Sequence, residues 1–349
     1  MIVTVTLNPC IDLNLEVEDL PLVSDDMARE ARPLRALAQR KRPGGKGINV
    51  SAVLHILGVK SAAVVLLGGP GGEEFQTLAE ETGNLSLRVV PAPGNTRTNI
   101  VVTSRRDGRH LKVNQPGAQV GPEEIDRVRG TIDSLVGPGD ALVLAGSLPP
   151  GAPTGTYADL IERFRSRGCW VALDSDGEAF REGLQARPHV LKPNREELGR
   201  VARFSLDPES AILETAGRVV GDAPDTVCLV TDGPRPAYLV TAALRLRATP
   251  PPAHGSPTGS GDAFLAGFLK GLQPEPETPG ASPGKDARAP GSSSASAFAA
   301  AAADKERLCR AFRLAVACGA ASASTPDTEY FDLEGLDSFL AKTEVENLA

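Results

Sequence analysis

A carboxylate stands inside a glycine-rich turn in the last third of the chain, in the run Thr258-Gly259-Ser260-Gly261-Asp262. An apolar, helix-compatible stretch follows it. Glycines allow backbone amides to approach a ligand closely, and the free amides at a helix start attract anions. The carboxylate would repel a bound phosphate, but it could take the proton from a hydroxyl that attacks a phosphoryl group held by those amides. The alternative is a turn in which Asp262 caps the helix, and the motif alone leaves both interpretations open.

A second glycine-rich turn, residues 43–50 (Pro-Gly-Gly-Lys-Gly-Ile-Asn-Val), also precedes a helical pattern. It lacks the Ser or Thr of a Walker loop, and it lacks the glycine spacing of a dinucleotide-binding fingerprint. Two glycine-rich helix starts, far apart in the chain, favour a site with two small-molecule partners, one on each turn.

Polar side chains also follow predicted strands or lie in nearby turns. Asp12 could accept hydrogen bonds from two sugar hydroxyls, or it could form an Asx turn. The guanidinium of Arg97 suits a phosphate or a carboxylate, although a solvent-exposed arginine is the simpler interpretation. Ser147 offers a hydroxyl beside loop amides. Taken one at a time, these residues do not decide between a site and an ordinary surface.

Lys192, Asn194 and Glu197 follow another predicted strand. The lysine could reach nucleotide phosphates, and Asn194 with Glu197 could organise Mg²⁺ through water, because Mg²⁺ commonly keeps several waters and one or two carboxylates. A helix start with acidic residues in its first turn explains the same pattern. Thr231 and Gly233 follow the next strand pattern, where they could line a nucleotide pocket or only form a turn.

Short apolar runs alternate with helical periodicity along most of the chain. The alternation predicts an α/β protein with a mostly parallel central sheet flanked by helices and ligands beyond the carboxyl ends of the strands. Shorter, partly polar strands within about 12–43 and 96–113 should form a small β-sheet lid. Residues 273–304, rich in Pro, Gly, Ser and Ala, should be a flexible insertion. The predicted strands are 2–7, 62–67, 100–103, 141–144, 170–173, 190–192, 227–230 and 237–240, and the predicted helices are 48–57, 73–81, 122–135, 156–167, 195–200, 210–220, 263–272 and 305–322.

The composition disfavours several classes of protein. A net charge of −7 argues against binding nucleic acid through bulk electrostatics. Five cysteines without a Cys-x-x-Cys pair, together with four histidines, argue against a zinc site or a disulfide framework. The first residues lack a signal-peptide pattern, and no apolar run is long enough to span a bilayer. We therefore expect a cytoplasmic protein that binds neither membrane nor nucleic acid.

The joint order of these motifs resembles the ribokinase-like (PfkB) carbohydrate kinase family, and more narrowly its 1-phosphofructokinase and tagatose-6-phosphate kinase branch. The resemblance runs from Met1 to about Ala323. It implies one ribokinase-like kinase domain over residues 1–349, with a β lid. The motifs that carry it are Thr6-Leu7-Asn8-Pro9 through Asp12, the turn at 43–50, Thr96-Arg97-Thr98-Asn99, Asn114-Gln115-Pro116-Gly117, Gly146-Ser147-Leu148-Pro149, Lys192-Pro193-Asn194 with Glu197, and Thr258-Gly259-Ser260-Gly261-Asp262.

The resemblance also implies a role for each candidate residue. In the catalytic turn, Asp262 would be the base, and Gly259, Ser260 and Gly261 would form an anion hole. At the acceptor, Asp12, Gly45 and Asn49 would hold sugar hydroxyls, while Lys46 and Arg97, with Ser147 nearby, would face its phosphate. At the nucleotide, Lys192, Asn194, Thr231 and Gly233 would bind ATP, and Glu197 would hold Mg²⁺, through water.

The function that the resemblance implies is ATP- and Mg²⁺-dependent phosphorylation of fructose 1-phosphate, fructose 6-phosphate or tagatose 6-phosphate. A kinase of an unphosphorylated sugar or nucleoside is the main alternative, and Lys46 and Arg97 argue against it because both cations are superfluous without an acceptor phosphate. A non-catalytic sugar-phosphate sensor is disfavoured by the intact Asp262, and a dinucleotide-dependent oxidoreductase by the missing fingerprint. An exposed lid sheet could also pair two copies into a homodimer.

Overall fold

The computed structural model describes residues 1–20, 33–273, 298, 304–325, 331 and 333–348. Strands and helices alternate through them. The strands are β1 Ile2–Thr6, β2 Cys10–Val17, β3 Ala36–Gly44, β4 Ser61–Leu67, β5 Leu87–Pro91, β6 Arg97–Ser104, β7 His110–Val113, β8 Ala141–Ala145, β9 Trp170–Asp174, β10 Val190–Leu191, β11 Val227–Asp232, β12 Arg235–Val240, β13 Arg245–Ala248 and β14 Glu346–Asn347. The helices are α1 Lys46–Ile56, α2 Gly69–Thr82, α3 Pro122–Leu135, α4 Thr156–Ser166, α5 Gly177–Gln185, α6 Arg195–Ala202, α7 Glu209–Val220, α8 Ser260–Leu272, α9 Lys305–Ala323 and α10 Leu333–Lys342.

A large sheet forms the centre of the protein, in the order β14-β13-β12-β11-β10-β9-β8-β1-β4-β5. Every pair from β5 across to β11 is parallel, and the pairs from β11 to β14 are antiparallel. Parallel strands are covered on both faces, which explains why β1, β8 and β9 are buried along their whole length. The predicted α/β architecture is therefore confirmed.

Two apolar layers cover the large sheet. Alternate residues of β8 divide between them: Ala141 and Val143 join the layer with α1, α8 and α9, whereas Leu142 and Leu144 join the layer with α3 to α7. This alternation follows from the two-residue period of a strand. The helices cover the two faces of the sheet. The α1 and α8 helices begin near the carboxyl end of β1, where Gly47 of α1 lies against Thr6 and Asn49 of α1 contacts Asp262 of α8.

A second, small sheet has the order β3-β2-β6-β7 and lies in the segments predicted for it. Asp12 shares a cross-strand row with Arg42 and Asn99, while the adjacent row contains Leu13, Lys41 and Ile100. Since successive residues of a strand point to opposite faces, the small sheet has one polar face and one more apolar face.

The insertion predicted at 273–304 falls between two described helices, since Gln273 follows α8 and Asp304 caps α9. Residues 274–297 and 299–303 lie outside the described part of the chain, so flexibility there stays a prediction. Phe298 is 6% exposed and stacks on Trp170, with ring centroids 5.2 Å apart. At least this residue of the insertion therefore belongs to the apolar core.

No helix in the described ranges is long and apolar enough to cross a membrane.

Candidate active site

The turn before α8 places a carboxylate at the start of a helix. Gly259 has a φ of 85°, a left-handed conformation that glycine adopts without strain. No described atom lies within 4 Å of a Cβ built on it. Asp262 lies in the first turn of α8 and is 7% exposed. Space is thus open beside Gly259, while the carboxylate of Asp262 is buried, and the Ser260 amide donates to the Pro257 carbonyl over 3.3 Å.

The turn before α1 is built against the protein itself. A Cβ on Gly45, where φ is 125°, would lie 2.7 Å from Cγ2 of Thr6, and a Cβ on Gly47 would lie 2.5 Å from its Oγ1. Both distances are too short for a side chain, so glycine is required for α1 to approach β1. This approach brings Lys46 and Asn49 to the carboxyl edge of the large sheet.

The two turns meet through a hydrogen bond. Asn49 Nδ2 donates to Asp262 Oδ2 over 2.6 Å. Burial, helped by the charge of Asp174, raises the pKa of Asp262 to about 6, although Lys46 and the bond from Asn49 act in the opposite direction. A carboxyl group with that pKa is ionised at neutral pH and is still basic enough to accept a proton in catalysis.

Asp174, at the end of β9, is fully buried between two lysines. Lys46 Nζ lies 2.7 Å from its Oδ1 and Lys192 Nζ lies 3.0 Å from its Oδ2. Burial alone would raise the pKa of Asp174, but the two ammonium groups hold it below its usual value. In return, Asp174 with Glu197 and Asp262 outweighs the effect of burial on Lys46, whose pKa is raised. Asp174 therefore fixes the position of both lysines.

Lys192 also borders the turn before α8. Its Nζ is 3.3 Å from a Cβ built on Gly261. This places one cation of the pair around Asp174 beside the predicted anion hole, where it would face any phosphate bound by the loop amides.

Asn194 and Glu197 form a capping box at the start of α6. The Glu197 amide donates to Asn194 Oδ1, and the Asn194 amide donates to Glu197 Oε2, each over 2.8 Å. The other carboxylate oxygen of Glu197 lies 3.8 Å from Lys46 Nζ. One oxygen of Glu197 thus caps the helix and the other faces Lys46, while its magnesium role stays a prediction.

Three of the four residues predicted for the nucleotide lie around a cavity of about 720 Å³, and Lys192 is not among those that line it. Asn194, Thr231 and Gly233 all line it, and Thr231 forms a parallel bridge with Asn194. A volume of this size is within the range of small-molecule sites. No cluster of three or more His, Cys, Asp or Glu side chains suited to a metal occurs in the part of the chain that the structure describes.

At the small sheet, the carboxylate of Asp12 is held on both oxygens. Cys10 Sγ donates to Oδ1 over 3.2 Å, and Arg42 Nη2 donates to Oδ2 over 3.4 Å. The carboxylate also packs over Gly44, whose added Cβ would lie 2.2 Å from Oδ2. Asp12 is thus fixed on the polar face of the small sheet.

Arg97 binds backbone carbonyls instead of standing free. Its Nη1, Nη2 and Nε donate to the carbonyl oxygens of Gln115, Asn8 and Pro9 at 2.8, 2.9 and 3.4 Å. Asn8 in turn donates through Nδ2 to Ser147 Oγ over 3.2 Å. Arg97 therefore joins the segments that carry Asn8 and Gln115, a structural task that the sequence pattern did not reveal.

The sequence profile of the pfkB family of carbohydrate kinases matches residues 5–281. The chain belongs to the pfkB family.

Within this family, the chain is similar to curated 1-phosphofructokinases. It is 30% identical to that of Bacillus subtilis over 272 residues, covering 78% of this chain and 86% of the relative. It is 34% identical to that of Rhodobacter capsulatus over 270 residues, covering 77% and 82%. These matches support the predicted 1-phosphofructokinase branch of the pfkB family.

Solved pfkB-fold structures agree in architecture. Phosphofructokinase-2 from Escherichia coli, crystallised in complex with substrates and products, superposes with a TM-score of 0.81 at 25% identity, covering 98% of both chains. A possible 1-phosphofructokinase from Thermotoga maritima superposes with a TM-score of 0.77 at 22% identity, covering 100% of this chain and 99% of the other. The second likeness shows the fold alone.

The structure of this pfkB-family chain groups the predicted residues unevenly. Asp262, Asn49, Lys46, Lys192 and Glu197 form one connected cluster. Asp12 and Arg97 belong to the paired strands β2 and β6 of the small sheet and have partners of their own. Sequence reasoning missed Asp174, Asn8 and Arg42. An acidic residue directly after an apolar strand was the available signal for Asp174.

Proposed function

We propose that the protein transfers the γ-phosphoryl group of ATP to a hydroxyl of a ketohexose phosphate. Fructose 1-phosphate, fructose 6-phosphate and tagatose 6-phosphate are the candidate acceptors. The observation that carries the proposal is the buried Asp262 at the start of α8, whose Oδ2 lies 2.6 Å from Asn49 Nδ2, beside the open space at Gly259. The similarity of the chain to 1-phosphofructokinases supports a ketohexose phosphate as the acceptor.

Phosphoryl transfer needs positioning, stabilisation of charge and a base. Asp262 takes the proton of the acceptor hydroxyl as the new oxygen–phosphorus bond forms. The bond between the γ-phosphorus and the bridging oxygen of ADP breaks, and ADP leaves. The amides of Gly259, Ser260 and Gly261 hold the transferred oxygens, and Lys192 adds a cation next to them. Asp174 keeps that ammonium in place.

The residues around Glu197 fit a magnesium ion bound through water and nucleotide phosphates. One carboxylate is sufficient for such a site, since Mg²⁺ retains several waters. The oxygen of Glu197 that does not take part in the capping box, Oε1, is the one that could face the ion. Glu197 and Asn194 would hold the ion, and when bound it supplies positive charge to the phosphates. Thr231 and Gly233 complete the nucleotide side of the site.

The acceptor would lie between the small sheet and the turn before α1, with its hydroxyls on Asp12, Gly45 and Asn49. Lys46 and Arg97 are proposed to face its phosphate, with Ser147 nearby. Both cations already have protein partners, Asp174 for Lys46 and backbone carbonyls for Arg97, so a phosphate would compete with these partners. The small sheet would act as a lid that excludes water from the reaction.

The small sheet is also proposed as a homodimer interface. Its apolar face contains Leu13, Leu15, Ile100 and Val102, followed by Leu111 and Val113, which are 56% and 48% exposed. Exposed apolar patches of this kind mark association surfaces. Leu111→Glu should lower the mass measured by sedimentation equilibrium, whereas a monomeric wild type would overturn the interface.

The cytoplasmic location stays a prediction from the sequence.

The proposed function is tested by offering ATP with each of the three phosphosugars and with fructose and tagatose. Production of ADP and of a bisphosphate, followed by ³¹P NMR, should occur with at least one phosphosugar and much more slowly with the free sugars. Preference for a free sugar would favour the alternative kinase, and absence of transfer to every acceptor would contradict the proposal.

The role of Arg97 is tested by Arg97→Ala on paired substrates. Loss of a charge-assisted contact to the acceptor phosphate should lower kcat/KM for the phosphosugar by about 10–100-fold, with a much smaller loss for a free sugar. Equal losses on both would mean that Arg97 acts only by joining the loops of Asn8 and Gln115. The melting temperature of the variant separates that case from unfolding.

A further inference from the structure

Lys112, on β7 of the small sheet, reaches the turn that precedes α8. Its Nζ donates to Oγ1 of Thr258 over 3.3 Å, across 146 residues of sequence. We propose that Lys112 is a further catalytic residue, which brings a positive charge from the small sheet to the transferred phosphoryl group. The inference rests on the proposed kinase function and adds a residue to the same site.

The strand register places Lys112 on the polar face of the small sheet. Lys112 pairs with Val101, and Val101 pairs with Asn14. Asn14 lies two residues after Asp12 on β2, so its row points to the same side as the Asp12 row. Lys112 is therefore on the face that carries the proposed sugar-binding carboxylate, and its neighbours Leu111 and Val113 point away.

Two further positive groups lie at the turn that Lys112 contacts. Thr258 directly precedes Gly259, where the start of α8 presents the positive end of its dipole. Lys192 approaches the same turn from the large sheet, 3.3 Å from a Cβ on Gly261. Asp174 offsets the charge of Lys192, whereas Lys112 contacts a neutral hydroxyl. An anionic group bound at this turn would attract both ammonium groups. A nucleotide triphosphate supplies such an anion.

Lys112 and Lys192 differ in what holds them. Lys192 is buried and paired with Asp174, so its position is fixed before any ligand binds. Lys112 is exposed and makes its contact with a neutral hydroxyl. A lysine is a flexible point charge, so Lys112 can transfer its contact from Thr258 to a phosphate oxygen. The position of the small sheet relative to the turn before α8 would then depend on whether the terminal phosphate is present.

The experiment compares four variants of the full-length protein, one of which, Lys112→Arg, keeps the positive charge. Lys112→Met removes the ammonium and keeps the chain length. Lys41→Met is the matched control, because Lys41 is a lysine of the same sheet that faces the other side and pairs with Glu74 at 2.6 Å. Thr258→Val removes the hydroxyl that Lys112 contacts. Two readouts are used: kcat/KM for ATP, and the ratio of the Kd for ADP to the Kd for a non-hydrolysable ATP analogue.

Lys112→Met should lower kcat/KM for ATP by about 10–100-fold, the range for one charge-assisted contact. It should also lower the Kd ratio, because the lost contact is to the terminal phosphate. Lys41→Met should change neither readout by more than about twofold, in line with the small energies of exposed ion pairs. Lys112→Arg should recover part of both losses.

Two results would overturn the inference. A loss in Thr258→Val as large as that in Lys112→Met would mean that the lysine acts only by holding the sheet to the turn. An unchanged Kd ratio in Lys112→Met would mean that the ammonium does not meet the terminal phosphate. Because the Kd ratio needs no turnover, it tests Lys112 even if the wild type phosphorylates none of the acceptors offered, a result that would instead count against the proposed function.

Discussion

The two glycine-rich turns look alike in sequence but are glycine-rich for different physical reasons. Before α1, a Cβ on Gly45 or Gly47 would collide with Thr6 at 2.7 or 2.5 Å. Before α8, a Cβ on Gly259 would meet no described atom within 4 Å, and one on Gly261 would meet only the end of the Lys192 side chain. The first turn needs glycine to pack against the protein, while the second leaves space for a ligand.

This difference assigns complementary tasks to the two turns. The turn before α1 is a rigid support that delivers Asn49 and Lys46 to the edge of the sheet. The turn before α8 presents open space beside Gly259 and the carboxylate that Asn49 holds. The bond between Asn49 and Asp262 is where the support meets the reactive group, so changes on either side should have separable effects on stability and on rate.

The largest expected effect comes from removing the base. Asp262→Asn should lower kcat by about 10²–10⁴-fold, the usual contribution of general acid–base catalysis, with little change in ATP affinity. Burial raises the pKa of Asp262, so the ionised carboxylate costs stability at neutral pH. The neutral variant should therefore be at least as stable as the wild type in thermal denaturation. Turnover close to that of the wild type would remove Asp262 from the mechanism.

A large effect on stability is expected from a substitution in the apolar layer that contains α8, Phe298 and Trp170. Phe298→Ala should lower the free energy of unfolding by about 3 kcal/mol, since a buried aromatic ring is lost. The measurement is urea denaturation followed by the fluorescence of Trp170, the only tryptophan of the chain.

The matched change replaces residues 275–297 with a short Gly/Ser link and keeps Phe298. The free energy of unfolding and kcat/KM should then stay nearly unchanged, because loop closure depends weakly on length. Equal destabilisation by the two changes would mean that the rest of the insertion supports the core as well.

The glycine pair tests the comparison itself. Gly47→Ala should lower the free energy of unfolding by about 1–3 kcal/mol, the cost of overpacking, because the added methyl meets both Thr6 Oγ1 and the Val5 carbonyl. Gly261→Ala should leave the melting temperature almost unchanged, since only the flexible end of Lys192 must move. Its kcat/KM should instead fall by about tenfold or more, the loss expected for one displaced donor. The reverse pattern would show that the two turns have been assigned the wrong tasks.

Much of the fold could be predicted from the sequence because its signals are local. The apolar runs at β1, β8 and β9 and the periodicity of α3 gave nearly the observed bounds. The α5 helix, Gly177–Gln185, was not predicted, since it is short and contains glycine at two of nine positions. The β5 strand, Leu87–Pro91, was missed because it is a largely exposed edge strand that ends in proline.

The site was predictable only where a motif carries its chemistry within a few residues. Asp262 and its glycines form such a motif. The role of Asp174 depends on lysines that arrive from two distant segments, and nothing local distinguishes it from an aspartate in a turn. Arg97 shows the opposite case, because a guanidinium typical of phosphate binding turns out to hold three backbone carbonyls.

The most direct test of the central claim, that a buried Asp262 held by Asn49 is the base, is the pH dependence of kcat/KM for the acceptor. The carboxylate acts only when ionised, and burial raises its pKa to about 6. The rate should therefore rise tenfold per pH unit below about 6 and level off above it. In Asn49→Ala, loss of a hydrogen bond to the ionised form should move this limb to higher pH. A wild-type profile that stays flat from pH 7 down to about pH 4.5, with the protein still folded, would contradict the account.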